Sequence, residues 1–199
     1  MKRLIFATHN HYKIQEIQTA IGDELKIITL QEVGIFIDIP EPHPTLEENA
    51  SEKTRTIYEL TKKNCFGEDS GLEVHALNGA PGVLSARYAG NQKIPEDNIR
   101  KLLKEMNGMA DRAARFRTVI SLWWQGQEYQ FEGICEGTII SLPCGAGGFG
   151  YDPVFMPSGS KLTFAQMDLA KKNIFSHRRK AADQLVLFLQ RCIDPEGDI

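Results

Sequence analysis

The chain opens with a strand, a polar turn and a helix, and this order constrains its fold more than any other feature. Leu4–Ala7 is a short apolar run of the kind that forms a buried strand. Polar residues follow, and then a helical pattern places Ile14, Ile17 and Ile21 on one face. Leu25–Leu30 has the pattern of a second strand. Because strands that alternate with helices form parallel sheets, this βαβ opening favours an α/β class.

The second half of the chain has a different pattern. We predict one strand over Phe116–Trp124, followed by two more over Tyr129–Phe131 and Ile134–Leu142, with Gly126 and Gly133 at the turns. Such a meander is typical of antiparallel strands. The sequence therefore predicts a mixed α/β fold with a central sheet flanked by helices, in which a cleft separates an α/β half from a meander half.

Shorter patterns complete the predicted architecture. Cys65–Val74 resembles a strand, a turn and a second strand. Helices are predicted from Thr45 to about Lys63, from Pro95 onward, and from about Ser176 to Cys192.

Length and charge limit the classes of protein to which the chain can belong. Its 199 residues predict a single domain over residues 1–199, or at most two joined lobes, with a disordered tail at about 194–199. No run of about 18 apolar residues exists, so no membrane is expected. A net charge of −3 argues against a nucleic-acid polymer as partner. An anionic ligand would have to be held by a local cluster of lysine and arginine.

The cysteines and the N-terminus indicate the compartment. The four cysteines form no C-x-x-C pair, and the first residues become polar too early for a signal peptide. A reducing compartment with free thiols is expected, which means the cytoplasm.

The first candidate site is the turn Thr8–Lys13, between the first strand and the first helix. A helix N-terminus presents free N–H groups and a partial positive charge to an anion. Thr8 and Asn10 add hydrogen-bonding side chains, and Lys13 adds a full charge. The turn is therefore a candidate phosphate site. The alternative is an ordinary capped helix with a solvated lysine.

The second candidate is acidic. Glu41 lies in a proline-rich loop, and Glu68 and Asp69 are followed by Ser70 and Gly71. Carboxylates beside a small residue and a glycine suit Mg²⁺, which prefers hard oxygen ligands, and one of them could accept a proton from an attacking water. The alternative is a polar turn, since Glu-Asp-Ser-Gly is good turn chemistry.

Three further segments could bind a nucleotide. In the glycine-rich loop that ends at Gly150, Phe149 could stack on an aromatic base and Asp152 could read its edge; the alternative is a plain β-turn with a buried phenylalanine. The basic segment Lys171–Lys180 could hold an anion, or it could be a solvated helix face. Arg87 could reach a phosphate, or it could be a surface arginine.

Six motifs in one order resemble a known family. They are Thr8–Lys13, Glu48–Ala50, Glu68–Leu72, Gly79–Gly82 with Ser85–Tyr88, Gly147–Pro153 and Ser176–Arg178. This set resembles the inosine triphosphate pyrophosphatase family, the HAM1-like non-canonical purine nucleotide pyrophosphatases, over roughly residues 3–190. No single motif is decisive, but their common order and spacing are specific.

The resemblance implies a function and a role for each motif. It implies Mg²⁺-dependent hydrolysis of ITP, dITP and XTP to the monophosphate and pyrophosphate by a homodimer, with the active site in the cleft between two lobes. By position, Asp69 is the expected general base and, with Glu41, a metal ligand, while Glu68 is a further candidate ligand. The expected phosphate contacts are Thr8, His9, Asn10, His11, Tyr12, Lys13, Lys53, Lys172 and Arg87. Ser70 is a further expected substrate contact, and the expected base pocket consists of Phe149, Gly150, Tyr151, Asp152, His177 and Arg178.

Two departures and two alternatives accompany this interpretation. Many bacterial members have Asp-Asp-Ser-Gly where this chain has Glu68 and Asp69, and His9, His11 and Tyr12 replace residues that are frequently small. One alternative is a Maf-like pyrophosphatase that acts on modified or pyrimidine nucleotides. The other is a nucleotide-binding sensor without catalysis, against which the retained carboxylates argue.

Overall fold

The predicted opening of strand, helix and strand is present. The structure is a computed structural model that describes residues 2–22 and 25–192, so the tail predicted at 194–199 lies outside the described residues. Strand β1 is Lys2–Phe6, helix α1 is His11–Ile21 and strand β2 is Leu25–Thr29. Strands β1 and β2 pair in parallel, as a βαβ unit requires.

The remaining elements follow in chain order. The helices are α2 (Leu46–Thr61), α3 (Pro95–Glu105), α4 (Leu169–Phe175) and α5 (His177–Arg191). The strands are β3 (Cys65–Val74), β4 (Pro81–Gly82), β5 (Ala113–Trp124), β6 (Gln127–Ile139) and β7 (Phe155–Pro157). The sequence patterns missed α4, β4 and β7, which are all short.

The strands form one mixed sheet, which confirms the predicted α/β class. Its order is β2-β1-β3-β5-β6-β7, with β4 paired to β3. Strand β3 is parallel to β1 and antiparallel to β4. A two-residue turn joins β5 to β6, and both of its residues, Gln125 and Gly126, have positive φ. Such a turn matches the twist of an antiparallel hairpin.

Two predicted turns are wrong, because the strands continue through them. β3 runs without a break through Glu68, Asp69, Ser70 and Gly71, so the polar-turn alternative for this segment is wrong. β6 likewise continues through Gly133, which is buried together with every second residue up to Ile139. That uninterrupted alternation is the pattern of a strand with one buried face.

The chain divides into two compact units. Unit 1 comprises residues 1–69, 119–133 and 178–199, and unit 2 comprises residues 70–118 and 134–177. Each has an apolar core of its own: Phe6, Phe66 and Leu185 are buried in unit 1, and Leu102, Phe155 and Phe164 in unit 2. The single domain stays a prediction. No helix among the described residues is long and apolar enough to cross a membrane.

Candidate active site

Asp69 lies at the centre of a buried cluster in unit 1. The ammonium group of Lys53 donates to Asp69 Oδ1 at 2.8 Å and forms an ion pair with Glu41 Oε1 at 2.6 Å. It also donates to the backbone oxygen of Glu68 at 3.1 Å. Two carboxylates and a carbonyl thus converge on one cationic centre. Sequence reasoning placed Lys53 on the substrate phosphates, whereas here its charge compensates the two acids.

Burial and charge act on Asp69 and Lys53 in opposite directions. Burial raises the pKa of the Asp69 carboxyl, and although Lys53 lowers it, the pKa lies above its ordinary value. Burial lowers the pKa of Lys53, but Asp69 and Glu41 raise it by more. The pKa therefore lies above its ordinary value and the ammonium stays charged. A carboxylate with a raised pKa is a stronger base, and this is the property that a proton acceptor needs.

Asn49 on helix α2 connects this cluster to the proline-rich loop. Its side-chain amide donates to the backbone oxygen of His43 at 3.1 Å and to Asp69 Oδ2 at 3.4 Å. Its side-chain oxygen accepts from the His43 N–H at 2.9 Å. Sequence reasoning assigned no role to Asn49. A signal was present, because Asn49 and Lys53 are polar residues on the inward face of an amphipathic helix, beside Ala50.

The neighbouring acid, Glu68, has different partners. Its carboxylate accepts from Nε of Arg178 at 2.8 Å and pairs with Nζ of Lys13 at 2.6 Å. Arg178 also pairs with Glu16 of helix α1, and all of these groups except Lys13 are buried. Burial raises the pKa of Glu68, but Arg178 and Lys13 lower it more, so it lies well below its ordinary value. Glu16 was missed, because its position on α1 shows no pattern.

The strand-to-helix turn Thr8–Lys13 has the side-chain caps that the alternative of an ordinary capped helix predicts. The Asn10 side chain accepts from the backbone N–H groups of Tyr12 and Lys13, and the Thr8 hydroxyl accepts from the Asn10 N–H. His9 contacts the backbone oxygen of Ile37, and His11 and Tyr12 are exposed. Lys13 is not the solvated lysine of that alternative, because it pairs with buried Glu68.

The predicted base-binding loop lies in unit 2, around Asp152. Asp152 Oδ2 accepts from the Phe149 N–H at 2.9 Å and from Lys172 Nζ at 2.6 Å, and both charged residues are buried. The same ammonium lies 5.1 Å from the centroid of the Phe149 ring. Gly148 has φ of +71°, and a Cβ there would approach Asp152 Cγ to 2.8 Å, so glycine is required. Lys172, an expected phosphate contact, lies on α4 and binds this loop through Asp152.

Tyr151 and His177 are packed inside unit 2. The Tyr151 hydroxyl donates to the backbone oxygen of Ser85 at 2.9 Å, and Ser85 Oγ accepts from the Leu72 N–H at 2.9 Å. The His177 ring is buried and stacks on Phe116, with ring centroids 4.8 Å apart. Together with buried Lys172 and Arg178, His177 shows that the solvated-face alternative for the basic segment is wrong at these positions.

The other predicted contacts occupy accessible positions in unit 2. Ser70 on β3, Gly150 in the loop and Arg87 in a short 3₁₀ turn are half-buried. In the part of the chain that the structure describes, no group of three or more His, Cys, Asp or Glu residues is placed to hold a metal ion. Glu41 and Asp69 converge on Lys53, and Glu16 and Glu68 converge on Arg178.

Comparison with known proteins gives close relatives over nearly the whole chain. A protein of Porphyromonas gingivalis named dITP/XTP pyrophosphatase is 47% identical over 190 residues, which cover 95% of this chain and 98% of that protein. One of Flavobacterium johnsoniae with the same name is 45% identical over 184 residues, covering 92% and 96%. A solved HAM1 protein of Coxiella burnetii superposes with a TM-score of 0.88 at 36% identity, covering 96% and 100% of the two chains.

A family model gives the same result. The model of the Ham1 family matches residues 4–188, which include all six motifs. The resemblance predicted from those motifs is thereby confirmed, and the chain belongs to the Ham1 family.

Proposed function

We propose that this protein is a Mg²⁺-dependent pyrophosphatase that hydrolyses dITP, XTP and ITP to the nucleoside monophosphate and pyrophosphate. The relatives named dITP/XTP pyrophosphatase confirm the predicted class, a nucleoside-triphosphate diphosphatase. The observation that carries the rest is buried Asp69, a carboxylate with a raised pKa that faces Glu41 across a shared cation.

The donor set fits Mg²⁺. Glu41 and Asp69 present hard carboxylate oxygens that already converge on the ammonium of Lys53. Mg²⁺ in nucleotide enzymes is usually held by one or two carboxylates, with waters and substrate phosphates as its other ligands. When bound, the ion would neutralise phosphate charge and lower the pKa of a coordinated water. Arg178 and Lys13 together bind both carboxylate oxygens of Glu68, whereas Lys53 pairs with one oxygen of Glu41 and one of Asp69, which favours Glu41 and Asp69 as the ligands.

Asp69 would act as the general base. It would accept a proton from the water that attacks the α-phosphorus, while pyrophosphate leaves. Lys53 holds the carboxylate in place and keeps it ionised before the proton arrives. Lys13 would hold the phosphates together with those N–H groups of the Thr8–Lys13 turn that the Thr8 and Asn10 side chains do not cap, because a helix N-terminus and an ammonium both favour negative charge. Positioning and charge neutralisation supply most of the catalysis in such reactions.

The loop in unit 2 would bind the purine. Phe149 would stack on the base, and Gly150, Asp152, Lys172 and the loop N–H groups would meet its edge. Tyr151 and His177 are buried in unit 2 and Arg178 is buried in unit 1, so these three predicted base contacts would act by holding their neighbours in position. Hypoxanthine and xanthine present a 6-oxo acceptor, whereas adenine presents an amino donor. A donor at that position would leave adenine mispaired, which costs about 1–3 kcal/mol for each unsatisfied group. Ser70 and Arg87 are proposed as further substrate contacts, and the protein is proposed to act as a cytoplasmic homodimer.

The test is a substrate panel of ITP, dITP, XTP and the four standard triphosphates, with Mg²⁺ and with a chelator. Release of pyrophosphate from the three non-canonical purines, abolished by the chelator, is expected. Cleavage of modified or pyrimidine nucleotides instead would favour a Maf-like enzyme. Binding without turnover of any of them would favour a sensor. Either outcome contradicts the proposal.

The role of Asp69 has its own test. Asp69→Asn is expected to keep ITP binding and to lower turnover by about 10²–10⁴-fold, since a positioned base contributes about that much. Asp97→Asn is the matched control, because Asp97 is exposed on α3 and pairs with Arg100. A near-normal rate for folded Asp69→Asn would remove Asp69 from this role.

A further inference from the structure

Unit 1 has an open surface cavity, flanked by exposed cations, that the proposed function does not use. Its volume is about 500 Å³, and it is lined by the cations Arg3, Lys62 and Lys63 and by the apolar side chains Ile5, Ile28 and Val33. We infer that this cavity is a second anion site, which binds a ligand through its phosphate groups. Pockets of this size with an apolar floor and a few converging polar groups are typical sites for small molecules.

The cavity lies away from the proposed catalytic residues. Arg3 is near the start of β1, and the turn at Thr8 follows the end of that strand, about 16 Å further along an extended chain. Lys63 comes just before β3, the strand that runs parallel to β1. Asp69 is the fifth residue of β3. Arg3 and Lys63 therefore lie five and six residues along the chain from Thr8 and Asp69, and the lining of the cavity, which extends along the sheet to Ile5, includes none of the proposed catalytic residues.

The charges around the cavity are unbalanced. Among the described residues, none of Arg3, Lys62 and Lys63 forms an ion pair within 4.0 Å. Glu32 is the acid in electrostatic contact with Arg3 and Lys26, and its carboxylate accepts from the N–H and the hydroxyl of Thr29. The described residues that line the cavity include three cations and no acid. In a chain with a net charge of −3, such a local excess attracts an anion.

A purely structural explanation covers only part of this arrangement. Lys62 and Lys63 follow the C-terminus of α2, where positive charge is favoured by the helix dipole, and Lys62 lies 5.4 Å from the Tyr58 ring centroid. The dipole does not account for Arg3, which comes from another element and faces the same space. Convergence of cations from separate elements on one cavity is what a phosphate ligand requires.

Two sources of phosphate fit the cavity. Inorganic pyrophosphate would use the cations alone, and a nucleoside monophosphate would also cover the apolar floor formed by Ile5 and Ile28. Amide NMR spectra of the intact chain, recorded in chelator, would be titrated separately with pyrophosphate and with inosine monophosphate. The N–H signals of Val33, Lys63 and Asn64 are expected to shift with at least one of them, and the stronger ligand identifies the source.

Matched variants test whether the cations bind the ligand. Lys62→Ser/Lys63→Ser is expected to weaken binding at this cavity at least about tenfold, because removal of a charge-assisted hydrogen bond to phosphate weakens binding by about that factor. Lys104→Ser/Lys161→Ser removes the same charge from exposed positions in unit 2 and is expected to change nothing. Lys62→Arg/Lys63→Arg should keep binding, which separates a loss of charge from a folding defect.

Removal of the acid near the cavity should strengthen ligand binding, which is not expected if the cations have only a structural role. Glu32→Gln keeps an acceptor for Thr29 but removes a negative charge near the cavity, so the affinity for pyrophosphate is expected to rise. The inference is overturned if the cavity amides do not move at millimolar ligand, or if the double serine variant binds as its control does. Neither result depends on turnover, so a failure here is distinguishable from a failure of the proposed function.

Discussion

Replacement of Glu68 by glutamine is expected to destabilise the protein strongly. The side chain keeps its shape but loses its charge, and Arg178 and Lys13 lose the carboxylate that both of them bind. Arg178 is buried and retains Glu16. Water cannot solvate a buried ion that has lost its partner, and removal of one member of such a pair typically lowers the free energy of unfolding by about 3–5 kcal/mol.

The expected loss of stability can be converted into a shift of the unfolding midpoint temperature. For a chain of this length, about 1 kcal/mol lowers the unfolding midpoint temperature by about 2–4 °C, so Glu68→Gln should lower it by about 6–20 °C. The assay is thermal and denaturant unfolding followed by circular dichroism. The denaturant slope should stay unchanged, because the surface exposed on unfolding is the same.

Glu73→Gln is the matched control on the same strand. The Glu73 carboxylate contacts Arg115 at 2.7 Å and Arg117 at 3.4 Å, but 19% of its side chain is exposed, so water screens it. A loss of no more than about 1 kcal/mol is expected there. In addition, Glu68→Gln/Arg178→Met should lose less than the sum of its single changes. The argument from burial is refuted if Glu68→Gln costs no more than Glu73→Gln.

Two further predictions concern thiols and a buried hydroxyl. Burial raises the pKa of the Cys65 thiol to about 12, so the folded protein favours the neutral thiol. This preference stabilises the fold at neutral pH and is lost as the pH rises toward that value. Iodoacetamide at pH 8 should modify exposed Cys144 and Cys192 in the native protein and reach Cys65 only after unfolding, as mass spectrometry would show; rapid native labelling of Cys65 would contradict its burial. Tyr151→Phe should lower the free energy of unfolding by about 1–2 kcal/mol, because the Ser85 carbonyl loses its donor; an unchanged denaturant midpoint would count against that bond.

The sequence predicted the first βαβ unit and the helix cap that follows its first strand, because both follow from local rules. Leu4–Ala7 is apolar throughout, and Asn10 is a strong helix cap, so neighbouring residues alone determine their structure. The six motifs identified the family because the resemblance rests on their common order along the chain and not on the structure of any single segment.

The missed features depend on partners that are distant in sequence. Glu68, Asp69 and Ser70 have the composition of a turn, yet they lie in a strand, where Arg178 and Lys53 pair with the two carboxylates from 16 or more positions away. Gly133 suggested a turn, but the burial of alternate residues in β6 continues through it. Glu16 contacts Arg178 from 162 positions away, and no local pattern could show that pairing.

The boundaries between the two units have a consequence for the gene. The chain passes from one unit to the other after residues 69, 118, 133 and 177, and the first three crossings lie inside the long strands β3, β5 and β6. No uninterrupted stretch of coding sequence therefore specifies either unit by itself. A truncation, a fusion junction or a circular permutation at any of those three crossings would cut a strand, so half of this protein cannot be expressed or exchanged as a cassette.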